Sequence, residues 1–211
     1  MSPQEIDNYK KTLAHYLPPA AVDNVFDFLN SNSVHLHITR QRRTKLGDYR
    51  CIQRNHNYHE ISVNGDLNPY FFLLVLIHEM AHLNCFLHHG NRVQPHGHEW
   101  QDEYRQLIRF YLPYFPEEVQ VLLKKYIGHL PLNRATGKEV EKLLHHYDPD
   151  YDGTEQTILN ELAPGTRFHI EGQSSHHFQS IEKRRTRWIC VDLASEKRFL
   201  VSGTAPVVVD P

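Results

Sequence analysis

Residues 71–89 read FFLLVLIHEMAHLNCFLHH, an apolar segment that carries His78, Glu79 and His82 as an H-E-x-x-H motif. On a helix of 3.6 residues per turn, positions four apart lie one above the other on one face. Two imidazoles so placed hold two corners of a tetrahedral zinc, and the glutamate beside the first reaches a metal-bound water. The chain has 17 histidines among 211 residues, and at its own His and Glu frequencies the pattern arises by chance roughly 0.1 times in this length. The surroundings add weight. Residues 70–77 are almost wholly apolar, so the histidines are expected on a buried helix, where polar groups need partners.

Working outward, Asn68-Pro69 suits a helix start, with proline in the first turn, and the motif helix is expected from residue 69 to about 87. Upstream, residues 3–17 and 20–29 have helical spacing, separated by Pro18-Pro19. Residues 34–38 and 60–64 alternate and read as strands. The segment between them, RQRRTKLGDYRCIQRN, reads as strands joined through a turn at Gly47-Asp48. Downstream, the loop HHGNRVQPHG precedes helices expected over 98–111 and 116–127, the second with Glu117 and Glu118 in its first turn. After residue 130 the pattern changes. A short helix is expected at 137–146, followed by the turn-rich DPDYDG, and then RFHI, TRWICVDL, KRFLVSG and PVVV read as strands. The expected division is therefore a catalytic domain over residues 1–130, a linker with a short helix over 131–155, and a small β-barrel-like domain over 156–211.

Composition narrows the function classes. With 40% hydrophobic and 11% aromatic residues the chain can build a core. A formal net charge of −2 argues against a protein that coats nucleic acid generally. Cys51, Cys85 and Cys190 form no C-x-x-C pair, which suits a reducing cytosol. The start of the chain reads as an amphipathic helix rather than a leader, and His78, Glu79 and His82 interrupt the longest apolar run. A cytoplasmic protein without a membrane span is expected.

A catalytic zinc takes three protein ligands and leaves one position open. The spacing leaves several candidates for the third: His88, six residues past His82; Glu99 or Glu103 on the next helix; and His96 or His98 in PHGHEW. Here the chain resembles the SprT-like metallopeptidases, which include bacterial SprT and the DNA-repair protease Spartan. The resemblance rests on His78-Glu79-Met80-Ala81-His82, on Pro95-His96-Gly97-His98-Glu99-Trp100, similar to an H-G-x-E-[WF] element, on residues 42–49 and on the lead-in over residues 61–67. It covers about residues 1–125.

The resemblance implies an α+β, zincin-like metallopeptidase domain, with helices packed on a small antiparallel sheet. It implies one Zn2+ per chain held by His78, His82 and His96, with Glu79 as the catalytic base in peptide-bond hydrolysis, and a protein substrate, including DNA-associated proteins. It makes His98 a variable position. Relatives carry a zinc ribbon at the C-terminus; this chain has only Cys190 there, and Cys190, His169, His176 and His177 are read as a core cysteine and surface histidines. Two basic clusters, Arg40, Arg42, Arg43, Lys45, Arg50 and Arg54 in one and Lys183, Arg184, Arg185 and Arg187 in the other, are candidate DNA contacts. The alternative reading is a non-catalytic zinc-containing module that binds DNA or protein.

Overall fold

The computed structural model describes residues 1–42, 44–52, 58–128, 131–132, 134–151, 157–173 and 175–210. Arg43 and Arg54 of the first basic cluster lie outside them. The chain divides into two compact units, Met1–Tyr151 and Asp152–Pro211.

The first unit is built around the motif helix. Its helices are α1 (Pro3–Leu13), α2 (Val22–Ser31), α3 (Pro69–His89), α4 (His98–Tyr111), α5 (Glu117–Ile127) and α6 (Arg134–His145), and its strands are β1 (Val34–Thr39), β2 (Gly47–Ile52) and β3 (Tyr58–Asn64). Asn68 starts α3 by accepting hydrogen bonds from the Tyr70 and Phe71 backbone N–H groups, ahead of Pro69 in the first turn. Phe72, Leu73, Leu76, Ile77, Met80, Ala81 and Leu83 of α3 are fully buried. At about 1.5–3 kcal/mol for each large apolar side chain removed from water, this one helix anchors the core. It is long and apolar enough by length and composition to cross a membrane, but 67% of its most apolar window is buried inside the protein.

Three expectations for this unit are corrected. The sheet is mixed rather than antiparallel: its order is β1-β3-β2, with β1 parallel to β3 and β2 antiparallel to it. The chain leaves β1, crosses the end of β3 and returns along the far edge. Arg42 holds that crossing down. Its guanidinium donates to Asn64 Oδ1 at 2.8 Å, Ser62 Oγ at 3.0 Å and the Leu46 carbonyl at 3.2 Å. Gly47-Asp48, expected as a turn, opens the edge strand β2 instead. The third correction concerns the stretch 131–155, expected as a linker: its described residues up to Tyr151 belong to the first unit. Helix α6 packs against α5 and α3, and Asn68 Nδ2 donates to the Leu144 carbonyl and to Asp148, both at 2.7–2.8 Å. Val140 and Leu144 are buried in the same core.

The second unit holds β4 (Arg167–Ile170), β5 (His177–Lys183), β6 (Arg187–Asp192), β7 (Arg198–Ser202) and β8 (Val207–Val209). Among the described residues they form an open five-stranded sheet in the order β7-β6-β5-β4-β8, so the expected barrel-like closure is not found. Phe168, Phe178, Trp188, Cys190, Val201 and Val207 make its core with Leu159, and Trp188 Nε1 donates to Asn160 at 3.0 Å. The strand missing from the sequence expectation, β5, lies at the centre. Only Phe178 and Ser180 are buried in it, and a bulge between Ser180 and Glu182 interrupts the alternation. Asp192 closes the turn after β6 by accepting from the Ala194 and Ser195 N–H groups and from Ser195 Oγ. The Ser195 bonds, with His176 beside them, hold its carboxyl down at about 2.

Candidate metal centre

Helix α3 presents His78 and His82 on one face, as the four-residue spacing requires. The third imidazole arrives from the loop before α4. His96 has a φ of +58°, a left-handed conformation that costs about 1–2 kcal/mol for a residue with a Cβ. The loop is fixed on both sides of it. The Gly97 N–H donates to the Gln94 carbonyl at 2.9 Å, and Gln101 Nε2 donates to the His96 carbonyl at 3.0 Å. Gly97 has no room for a side chain, because a Cβ there would lie 2.9 Å from the Gln94 carbonyl oxygen.

The three Nε2 atoms converge. His78 and His82 are 3.3 Å apart, His82 and His96 3.1 Å, and His96 and His78 3.0 Å. Neutral imidazoles cannot satisfy this triangle among themselves. Each Nε2 is either a donor or an acceptor, so among three in mutual contact at least one pair is alike. A shared cation resolves the conflict, with all three nitrogens offering lone pairs. Four ligands around zinc at 2.0–2.1 Å have neighbours about 3.3 Å apart, close to the distances seen, so the donor set fits. Burial, reinforced by the neighbouring imidazoles, pushes His78 down to about 3 and His82 to about 4, and burial lowers His96. All three are therefore neutral, as ligation needs, at physiological pH.

Trp100, on the first turn of α4, forms the floor. Its ring lies 4.6 Å from His78, 5.3 Å from His82 and 4.6 Å from His96 by centroids, and it stacks on Tyr104 at 4.8 Å. The indole is buried, so filling the core and supporting the imidazoles are the same packing.

Glu79 is 6% exposed and lies against the β2 edge strand. A Cβ on Gly47 would sit 2.4 Å from Glu79 Oε1, which explains why a glycine begins that strand. The Tyr49 backbone N–H bonds to the carboxylate, yet burial, followed by the nearby Asp48, raises Glu79 to about 7.

Of the other third-ligand candidates, His88, Glu103 and His98 are engaged elsewhere. His88 Nδ1 pairs with Glu103 at 2.7 Å and His98 Nδ1 with Asp102 at 3.1 Å. Glu99 lies in the first turn of α4. Nearby, Tyr104 is buried under Trp100, and Tyr70 packs on Tyr147 and Phe115.

The model of the SprT-like family matches residues 19–120, a span that holds the whole triad and Glu79. The first unit carries an SprT-like domain. The family is one of metallopeptidase-like domains and is typically zinc-linked. Neither curated proteins nor solved structures yield a match. The SprT-like match ends within α5, leaving α6 and the second unit outside it.

The basic clusters differ in what remains available. In the SprT-like domain Arg42 is bound to β3, while Lys45 and Arg50 both pair with Asp48, at 2.9 and 2.8 Å. In the second unit Arg184, Arg185, Arg187 and Arg198 line one groove with Phe199 and Leu200; all six are exposed, and Arg184 also pairs with Glu182 at 3.6 Å.

Proposed function

We propose that the SprT-like domain is a zinc-dependent peptidase. The observation that carries this reading is the Nε2 triangle of His78, His82 and His96 at 3.0–3.3 Å, with a buried glutamate adjacent to it in sequence on the same helix. When bound there, zinc supplies a Lewis acid that polarises a carbonyl and makes water acidic near neutral pH. Glu79 takes the proton from the attacking water and passes it to the leaving amine. The β2 backbone and Gly47 keep its carboxylate in place, and Trp100 holds the three rings. A purely structural zinc has no use for a buried carboxylate beside its ligands. The test is hydrolysis of an unfolded protein substrate, with and without DNA, by the zinc-loaded chain. Cleavage is expected to disappear with a chelator and to return on adding back Zn2+. Cleavage that survives complete metal removal overturns the reading.

A second reading concerns the C-terminal unit, which we propose binds DNA and brings the peptidase to DNA-associated proteins. Four arginines around two exposed apolar side chains favour it, since guanidinium groups contact phosphates and exposed rings receive bases. Binding to single-stranded DNA is expected to weaken steeply with salt, and the double variant Arg184→Glu, Arg185→Glu to lower affinity about tenfold or more. Absence of binding at low salt excludes it.

A further inference from the structure

We propose that the second unit carries its own divalent transition-metal site, made by His169, His177 and Asp210. The β-ladder builds it. His169 on β4 and His177 on β5 are directly opposed across the antiparallel pair, and His169 is opposed on its other side by Val208 of β8. Side chains alternate along a strand, so Asp210, two residues past Val208, falls on the same face as both histidines. The next positions, Phe168 and Phe178, point into the core. The Asp210 N–H donates to the Arg167 carbonyl at 3.0 Å, which fixes Asp210 beside β4.

The side chains meet accordingly. His169 Nδ1 lies 3.2 Å from Asp210 Oδ1 and His177 Nδ1 lies 2.8 Å from Oδ2. The ligand atoms of all three residues lie within 4.8 Å of one another. Two imidazoles and one carboxylate form a donor set that suits the Zn2+ and Cu2+ end of the first-row series. On binding, each ring gives up its Nδ1 hydrogen bond to Asp210; the Nδ1 proton passes through solvent to Nε2, and the freed Nδ1 lone pair faces the ion, so a neutral ring loses no proton overall. Hydrogen bonding from His177 already holds the Asp210 carboxyl below its ordinary range, leaving it charged for a cation. The bound ion ties three separate stretches, β4, β5 and the residue after β8, into one clip. This site shares no residue with the His78, His82 and His96 triad.

Zn2+ titration of the full chain against a chromophoric chelator tests the assignment. His177→Gln and Asp210→Asn are each expected to remove one equivalent from the wild-type stoichiometry, or to weaken that equivalent at least tenfold, leaving any zinc on the first unit in place. Val208→His adds an imidazole directly opposite His169 and is expected to tighten the same equivalent about tenfold, a gain that misfolding cannot mimic. Zinc binding by His177→Gln that equals wild type in stoichiometry and affinity overturns the proposal, as does an unchanged affinity in Val208→His.

Discussion

Replacing Glu79 with Gln is expected to lower peptide hydrolysis about a thousandfold while leaving zinc content unchanged. General acid–base catalysis by a positioned side chain contributes typically about 10²–10⁴-fold, and glutamine keeps the shape of the carboxylate without its capacity to take a proton. The side chain is 6% exposed, so a larger change would confuse lost chemistry with lost packing. Zinc content, read by native mass spectrometry beside kcat, separates the two effects. A second variant approaches the same carboxylate from the opposite side. Gly47→Ala places a methyl 2.4 Å from Glu79 Oε1, 2.8 Å from its Cγ and 2.9 Å from Val75 Cγ1. The carboxylate must move, so turnover is expected to fall at least tenfold with zinc retained, at a stability cost of about 1–3 kcal/mol for overpacking. Undiminished hydrolysis in Glu79→Gln removes Glu79 from the reaction.

The reach of the sequence here follows from how local each feature is. H-E-x-x-H is a statement about one helix, and its consequence, two imidazoles on one face, needs only helical geometry. The bounds of α4 are equally local, and the structure places them at the expected residues, His98–Tyr111. His96 is different. Spacing left it beside His88, His98, Glu99 and Glu103, and only the family resemblance singled it out. In the fold, a left-handed residue and two hydrogen bonds turn its ring toward α3. The Gly47 expectation failed for an instructive reason. Glycine followed by aspartate is a common turn signal, but here the absent Cβ makes room for Glu79, a contact from 32 positions downstream that no local rule sees. Strand β5 was missed because its bulge and its polar exposed face erase the period-two pattern, although it is the middle strand of its sheet. Parallel pairing of β1 with β3 is likewise a long-range choice, fixed by Arg42 across the end of the sheet. Asp210 carries no motif at all; its place beside His169 and His177 comes from register alone.

His96→Asn is expected to weaken zinc binding more than about a hundredfold, because deleting a direct ligand exceeds the 10–100-fold typical of losing an outer partner. Asparagine is chosen because it tolerates the left-handed region better than most residues, so the backbone at φ +58° is preserved and only the imidazole is lost. The same substitution should cancel stabilisation of the first unit by excess zinc, which at a concentration of 100 Kd is about 2.7 kcal/mol. His98→Ala and His88→Ala serve as neighbours in sequence that differ in role. The His98 side chain is 72% exposed and pairs with Asp102, and His88 pairs with Glu103, so both should bind zinc as wild type does. The four variants discriminate between two architectures. If His96→Asn keeps wild-type affinity while Glu103→Gln loses it, the third ligand comes from the α4 helix and His88 has been masking it. If affinity follows His96, a strained loop residue completes the site, and the 1–2 kcal/mol that its conformation costs is recovered only when zinc is bound. In that case the apo loop is the less settled state, and His96→Gly, which removes both the strain and the ligand, should make the metal-free protein more stable than wild type by about that amount.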